Sequence, residues 1–542
     1  MIPPSILARI PPSAFAIALG AAIAIGCWLR LDQLAMQVLL EDEWHPVHQL
    51  IYYSPSRVLT SLGNADYSIP LVLLYFAMQR AFDLTELALR IPPVVAGIAT
   101  VAVLPCLVRR RVGYRAASLF AVLLAISPIL VSFSRIARAY ALTLLGVYLA
   151  FWCLEQATRE RGWRWPWAAC YALLCGLVVW AHAITGPMLV APLIVLWWSA
   201  RGRDRRELTR LVGITLLTGA CVALAVLPPL LGDPSALGTK GGMDQIAWGT
   251  VVGAWFLWLG TGSTALAWAS LCLTVIGIRS VWACVALARW VIIGCLATVA
   301  VLAVAQPWWI DRSLALARYL LPLAPVVLLC ISVGAIQCAE FAATRMRWHG
   351  TASNALVGAF VIALVATLWE TGPFDELLRR PNSYTQHSYF QYDYRRETNL
   401  VRLGLALYPA SGFWKTLAAK DAGSLTVAVA PFRYSTYEWP APIWESESRQ
   451  RVIPAFVWGT CEKQRHGEVP PAKGFHLANA VHLADAWSGF SQRIDYLAFY
   501  HGPQWANVSP PMPHCEAWMR QHLGAPSYED GTLVAWHNPT LP

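Results

Sequence analysis

Apolar stretches of about twenty residues recur through the first two thirds of this chain, and no other feature limits its fold more. An α-helix rises 1.5 Å per residue, so about 20 apolar residues cross a ~30 Å hydrocarbon layer. Runs of this kind lie near 13–31, 89–108, 115–132, 139–156, 166–182, 185–200, 211–230, 262–278, 287–305, 319–338 and 351–369. They predict an α-helical polytopic membrane protein with about 11 crossings. Composition agrees: of 542 residues, 57% are hydrophobic and 13% charged, with mean hydropathy +0.48. Soluble domains carry about 25% charge, so an ordinary soluble enzyme and a disordered chain are both excluded. The runs are continuous rather than alternating, which argues against a large aqueous β-barrel. The first run meets polar residues 32–44 without a small-residue cleavage site, so it reads as a retained helix and not a cleaved signal.

Charge is placed unevenly. From Gly372 onward there are 15 Lys+Arg and 15 Asp+Glu, so the whole net charge of +10 falls on the first 371 residues. Cytoplasmic loops of membrane proteins collect Lys and Arg, and no nucleic-acid partner is implied. Four basic clusters mark the inner face: Arg109–Arg110–Arg111 with Arg115, then Arg159, Arg161 and Arg164, then Arg201 to Arg210, then Arg345 with Arg347. Placing all four in the cytoplasm gives a cytoplasmic N-terminus and alternation from there. Segments 32–88, 133–138, 231–261 and 306–318 then face outward, as does the tail from Gly372. The apolar stretch 67–82 is expected to lie along the outer interface, and 251–259 is read the same way.

The domains expected are 1–371 in the membrane and 372–542 as an extracytoplasmic α/β domain. In the tail, strand-like runs occur at 425–430, 453–457 and 496–500, an amphipathic stretch at 513–523, and a hairpin at 527–536 around Glu529-Asp530-Gly531. Eleven of the 13 cysteines lie in apolar segments as small core residues. Cys461 and Cys515 stand apart in the tail. An oxidising compartment would join them in a structural disulfide, the alternative being two free thiols.

Candidate chemistry gathers on the outward segments. Glu41-Asp42-Glu43 is followed by Trp44-His45-Pro46, with His48 beyond. Three carboxylates at a membrane boundary suit an aqueous cavity, as a general base or as ligands of a divalent ion beside the histidines; the plain alternative is a solvated loop. Arg135 and Arg138, in the turn after Ser127-Pro128, run against the positive-inside pattern, as do Arg312 and Arg318. Guanidinium is a planar fork of donors suited to phosphate, although snorkelling would also hold Arg at a helix end. Lys240 is the sole lysine of the first 371 residues, and His182 ends an outward helix. Acids and phosphate-binding cations on one lipid-facing side suggest transfer from a phosphorylated lipid.

The order of these motifs resembles the GT-C class of membrane glycosyltransferases. After the carboxylate motif come Ala88-Leu89-Arg90-Ile91-Pro92-Pro93, the basic turn Arg109–Arg115, Ser127-Pro128, Ser134-Arg135, Arg138-Ala139-Tyr140 and Ala317-Arg318-Tyr319-Leu320-Leu321-Pro322. The likeness covers about residues 10–340 and includes protein mannosyltransferase-, aminoarabinose transferase- and galacturonosyltransferase-like proteins. It implies Asp42 as catalytic base with Glu43 as its neighbour. It implies Arg318, of the Arg318-Tyr319-Leu320 motif, near the lipid phosphate; with it, Tyr319, Arg138, Arg135, Lys240, His182 and His45 are the candidate substrate and phosphate residues on the outward segments. The turn that supplies a second acid in some relatives has arginines here, so no metal is expected; a divalent ion is the disfavoured alternative, and no other cofactor is called for. The function implied is an inverting glycosyltransferase using a polyprenyl-phosphate-linked sugar donor and a lipid, glycan or protein acceptor at the outer face of a bacterial inner membrane. A transporter or flippase of a lipid-linked saccharide is the alternative reading.

Overall fold

The computed structural model describes residues 11–32, 53–63, 68–82, 84–158, 164–200, 205–235, 241–261, 263–346, 411–430, 447–454, 456–458, 475–476, 480–482, 494–500 and 513–541, with a few isolated positions between them such as Leu34, Glu43, Pro46 and Trp444. Ten of the expected crossings coincide with helices; the eleventh, 351–369, lies largely outside the described residues. Among the described residues, seven helices are long and apolar enough to cross a membrane, or eight if the bent pair Tyr114–Ile126 and Pro128–Ser134 counts as one span. The chain is thus a multi-pass helical membrane protein. Helix length alone does not reach a count of eleven. Trp165–Ala181 and Gly186–Ser199 have 17 and 14 residues, because the 3-10 turn Ala183–Thr185 takes up part of the apolar run. The 55° bend of the pair falls at Ser127-Pro128, where proline lacks the N–H that would continue the helix.

The chain divides into two compact units. The first comprises Met1–Asp32, Pro55–Leu71 and Pro92–Leu378; the second comprises Gln33–Ser54, Val72–Ile91 and Arg379–Pro542. In the first unit small residues bring helices together, as expected where lipid removes the hydrophobic incentive for helix pairing. Gly277 of Thr264–Cys284 packs on the Cys330 carbonyl, and Gly334 of Leu323–Arg345 packs on the Leu273 carbonyl. A side chain at either glycine would run into partner backbone.

The second unit contains a five-stranded sheet. Its strands are β1 (Thr426–Ala430), β2 (Arg451–Pro454), β3 (Tyr496–Tyr500), β4 (Tyr528–Glu529) and β5 (Leu533–His537), in spatial order β2-β1-β3-β5-β4. The first three are parallel, with Val427 opposite both Val452 and Tyr496, while β5 runs antiparallel to β3 and β4. The helix Gly412–Ala418 is N-capped by Ser411 and buries Phe413, Trp414 and Leu417. Trp444 stacks on Trp414 at 5.4 Å and on Tyr500 at 4.7 Å, and Trp414 Nε1 donates to the Tyr500 hydroxyl at 2.6 Å. Buried indole N–H groups need such partners. A second pairing lies in the same unit: Leu84–Thr85 runs parallel to Phe475–His476. Backbone from the segment after the first crossing is therefore paired with backbone of the tail.

Candidate active site

Two ends of the helical unit are chemically distinct. At one end Arg111 pairs with Glu155 at 3.0 Å and Arg115 with Glu340 at 3.5 Å. These bridges gather the junction of Glu86–Val112 with Tyr114–Ile126 and the C-terminal ends of Tyr140–Ala157 and Leu323–Arg345. At the other end of Tyr140–Ala157, some 15 residues or about 22 Å away, lies an aromatic and cationic cluster. Tyr140 opens that helix. The guanidinium carbons of Arg138 and Arg318 lie 6.0 and 5.9 Å from the Tyr140 ring centre, within cation–π range. Arg318 also lies 5.4 Å from the Tyr319 ring. The His182 ring stands 5.5 Å from Tyr140 and 6.0 Å from Tyr319, and Phe133 meets Tyr140 edge-on at 5.0 Å.

Neighbouring helices hold these groups. The Tyr148 hydroxyl donates to the Pro322 carbonyl at 2.8 Å, and Trp258 Nε1 donates to the Ala317 carbonyl at 3.2 Å. The short helix Ser313–Tyr319, which carries Arg318, is thereby fixed from two sides. The turn that carries Arg138 is held by two buried arginines. Arg135 is 1% exposed, and its Nη1 donates to the carbonyls of Leu29 at 2.9 Å and Asp32 at 2.7 Å. A guanidinium there satisfies carbonyls left open at the end of the first helix and suits the negative end of its dipole. Arg30, also 1% exposed, donates from Nε to Ser134 Oγ at 3.3 Å and from Nη1 to the carbonyls of Gly26 at 3.1 Å and Ala125 at 3.2 Å. Gly97 makes room for this node, because a Cβ there would collide with Ser134 and crowd Arg30. A cavity of about 10 Å³ beside them is lined by Arg30, Thr100, Ser134 and Leu321, among others, large enough for about one water.

In the second unit, Glu43 forms a fully buried bidentate pair with Arg90. Arg90 Nε reaches Glu43 Oε1 at 2.8 Å, Nη2 reaches Oε2 at 2.6 Å, and both side chains are 0% exposed. Arg90 Nη1 also donates to the Leu34 carbonyl at 3.3 Å. The Tyr75 hydroxyl donates to the Leu89 carbonyl at 2.7 Å, anchoring the turn before Arg90.

Of the site residues expected from sequence, Arg138, Arg318, Tyr319 and His182 meet around Tyr140. Arg135 binds helix-end carbonyls, and Glu43 is closed in its pair with Arg90. Asp42, His45, Lys240 and Cys461 lie outside the described residues, as does the side chain of Cys515. Among the described residues no group of three or more His, Cys, Asp or Glu gathers in a metal-binding arrangement. Arg30 and Arg90 carried no role in the sequence reading. The signal for both was available: an arginine inside an apolar helix needs a buried partner.

This arrangement defines a multi-pass membrane protein with a cationic site at one end of its helix bundle. Residues 70–231 match the model of the dolichyl-phosphate-mannose-protein mannosyltransferase family, somewhat under a third of the chain. Over that segment the resemblance to the GT-C class of membrane glycosyltransferases is borne out. Solved structures similar to the chain include ArnT from Cupriavidus metallidurans in the apo state, at 13% identity and TM-score 0.44, covering 96% of this chain and 98% of that one. The same protein bound to undecaprenyl phosphate shows 12% identity and TM-score 0.43, covering 97% and 98%. The Archaeoglobus fulgidus oligosaccharyltransferase in complex with zinc and sulfate shows 12% identity and TM-score 0.44, covering 94% and 71%. No curated protein matches the chain in sequence.

Proposed function

We propose that this protein is an inverting glycosyltransferase that moves one sugar from a polyprenyl-phosphate carrier to an acceptor on the outer face of a bacterial inner membrane. The observation that carries the reading is the meeting of Arg138, Arg318, His182 and Tyr319 around Tyr140, at the helix ends opposite the Arg111–Glu155 and Arg115–Glu340 bridges. The matched family, by its name, uses mannose carried on dolichyl phosphate, which fits a lipid-phosphate leaving group. The N-terminus is cytoplasmic in this reading, and the tail from Gly372 is a periplasmic domain.

Asp42 takes the proton of the acceptor hydroxyl. That oxygen attacks the anomeric carbon from the face opposite the phosphate, the bond from carbon to phosphate oxygen breaks, and the electron pair leaves with the phosphate. Arg318 and Arg138 hold the charge that develops there, a role in which fixed donors are most effective. Arg135 and Arg30 keep the Arg138 turn against the first helix. The acceptor is a lipid, glycan or protein hydroxyl.

The test is transfer of labelled sugar from a polyprenyl-phospho-sugar in proteoliposomes. Arg318→Ala is expected to lower transfer about 10²–10³-fold, the usual effect of removing one donor to a developing anion. Asp42→Asn is expected to abolish it. Wild-type transfer by Asp42→Asn sinks the assignment of the base, and carrier-lipid movement without sugar transfer would favour a flippase.

A further inference from the structure

A strained loop beside the helix that carries Arg318 has no role in the chemistry above. The helix Ala286–Ala305 ends at Gln306 with φ 44°, and three residues later Trp309 has φ 71°. Bulky side chains rarely adopt this left-handed region, and such strain persists only where surrounding structure imposes it. Here it is imposed from the segment 241–250. Gly241 bridges to Pro307, the Trp309 N–H donates to Asp244 Oδ2 at 2.6 Å, and the Thr250 hydroxyl donates to the Asp311 carbonyl at 2.6 Å. Gly242 lies so close to Trp308 and the Gln306 carbonyl that a Cβ would stand 2.9–3.0 Å from them. Ile310 is fully buried beneath, and the Arg312 guanidinium packs over Trp309 at 4.0 Å.

This bracing displays apolar side chains outward. Met243 is 86% exposed, Trp248 79%, Trp309 54% and Trp308 51%. Water would penalise such a display, whereas the headgroup boundary of a bilayer favours it, since indole pairs an apolar body with an N–H donor. The patch also continues a lipid-type surface: Val304, one turn back on the helix that leads into the loop, is 86% exposed.

We propose that the loop pair 241–248 and 306–312 is a membrane-interface anchor, its tryptophans and Met243 seated at the boundary between headgroups and acyl chains. The helix Ser313–Tyr319 starts directly from Arg312, so the anchor sets the depth of Arg318 relative to the headgroup phosphates. That consequence rests on the glycosyltransferase reading; the anchor itself does not.

The test uses the full chain in nanodiscs of phosphatidylethanolamine and phosphatidylglycerol. Photo-reactive benzoylphenylalanine replaces Trp309 in one variant and Trp308 in a second, which keeps the test open if the strained position rejects the substitution. Leu216, 68% exposed on the long apolar helix Arg205–Gly232, serves as the lipid-facing control, and Thr416 on the helix Gly412–Ala418 as the water-facing one. Mass spectrometry after illumination is expected to find phospholipid adducts at 308 or 309 at least tenfold above those at 416 and comparable with those at 216. Adducts at 216 with none at 308 or 309 would overturn the anchor, as would cross-links from 308 or 309 to another protein chain in place of lipid. Lipid adducts in a protein that transfers no sugar from a polyprenyl-phospho-sugar would keep the anchor and remove the glycosyltransferase reading.

Discussion

Glu43 and Arg90 stand 47 positions apart, yet share two hydrogen bonds with no solvent contact. A buried pair of this kind is strongly destabilising when halved, about 3–5 kcal/mol, because one charge is left alone in an apolar site. Arg90→Met is therefore expected to lower the thermal midpoint in detergent much more than Arg90→Met combined with Glu43→Leu. Equal midpoints would mean that the lone carboxylate is not the cause. Tyr140 invites a parallel experiment. Tyr140→Phe keeps the ring that Arg138 and Arg318 face, while Tyr140→Leu removes it. The leucine variant is expected to raise KM for a lipid-phosphate donor severalfold, by the roughly 1–2 kcal/mol of partly desolvated cation–π contacts, and the phenylalanine variant to stay near wild type. The sequence showed these arginines as exceptions in apolar helices. It did not show their partners, because pairing across tens or hundreds of residues leaves no local periodicity to read.

Elements were more legible than contacts, since helix and strand periods are local. The amphipathic stretch 513–523 is a helix over Pro513–Leu523, and the turn residues Glu529-Asp530-Gly531 join β4 to β5. What patterning missed was where apolar runs break, as at the turn His182–Thr185 and the proline bend at Ser127-Pro128. The β4–β5 turn carries its own pH dependence. Burial alone would raise the Asp530 carboxyl. Hydrogen bonds from Ser411, from the Thr532 side chain and from the backbone of Thr532 and Leu533 outweigh it, and hold the group well below the usual carboxylate range. A depressed carboxyl stabilises the fold fully above its unfolded value, about 3.9, and that stabilisation fades as the pH falls toward the folded value. Hydrogen exchange of the 528–537 peptides, corrected for intrinsic rate, is expected to quicken between pH 4.5 and pH 2.5. Asp530→Asn is expected to flatten this change and to cost about 1 kcal/mol at neutral pH, less than a fully buried charged hydrogen bond because the site is partly exposed. Unchanged protection across that pH range would remove the role given to the carboxylate.

At the scale of the whole molecule, one short backbone pairing constrains the topology. Leu84–Thr85 follows the first crossing and pairs with Phe475–His476 of the tail, so both segments stand on the same side of the membrane. The chain between them must then cross an even number of times. The ten apolar runs from 89–108 to 351–369 satisfy that condition. Removing one would break it, whereas removing the two short helices Trp165–Ala181 and Gly186–Ser199 together would not. Parity therefore holds whether those two helices are counted as crossings or not. The basic clusters propose the sign: the bridges of Arg111 and Arg115 to Glu155 and Glu340 gather helix ends on the side rich in arginine, which the positive-inside rule expects in the cytoplasm. Three fusions test both steps. A reporter active only outside the cytoplasm is expected to be active after Ser54 and after Asn382, and silent after Arg205. Opposite results at Ser54 and Asn382 would break the parity and with it the shared side of loop and tail. Matching results at those two sites, but silent, with activity after Arg205, would keep the parity and invert the protein. Asp42 would then face nucleotide sugars in the cytoplasm, and a polyprenyl-phosphate donor on the outer face could not be its substrate.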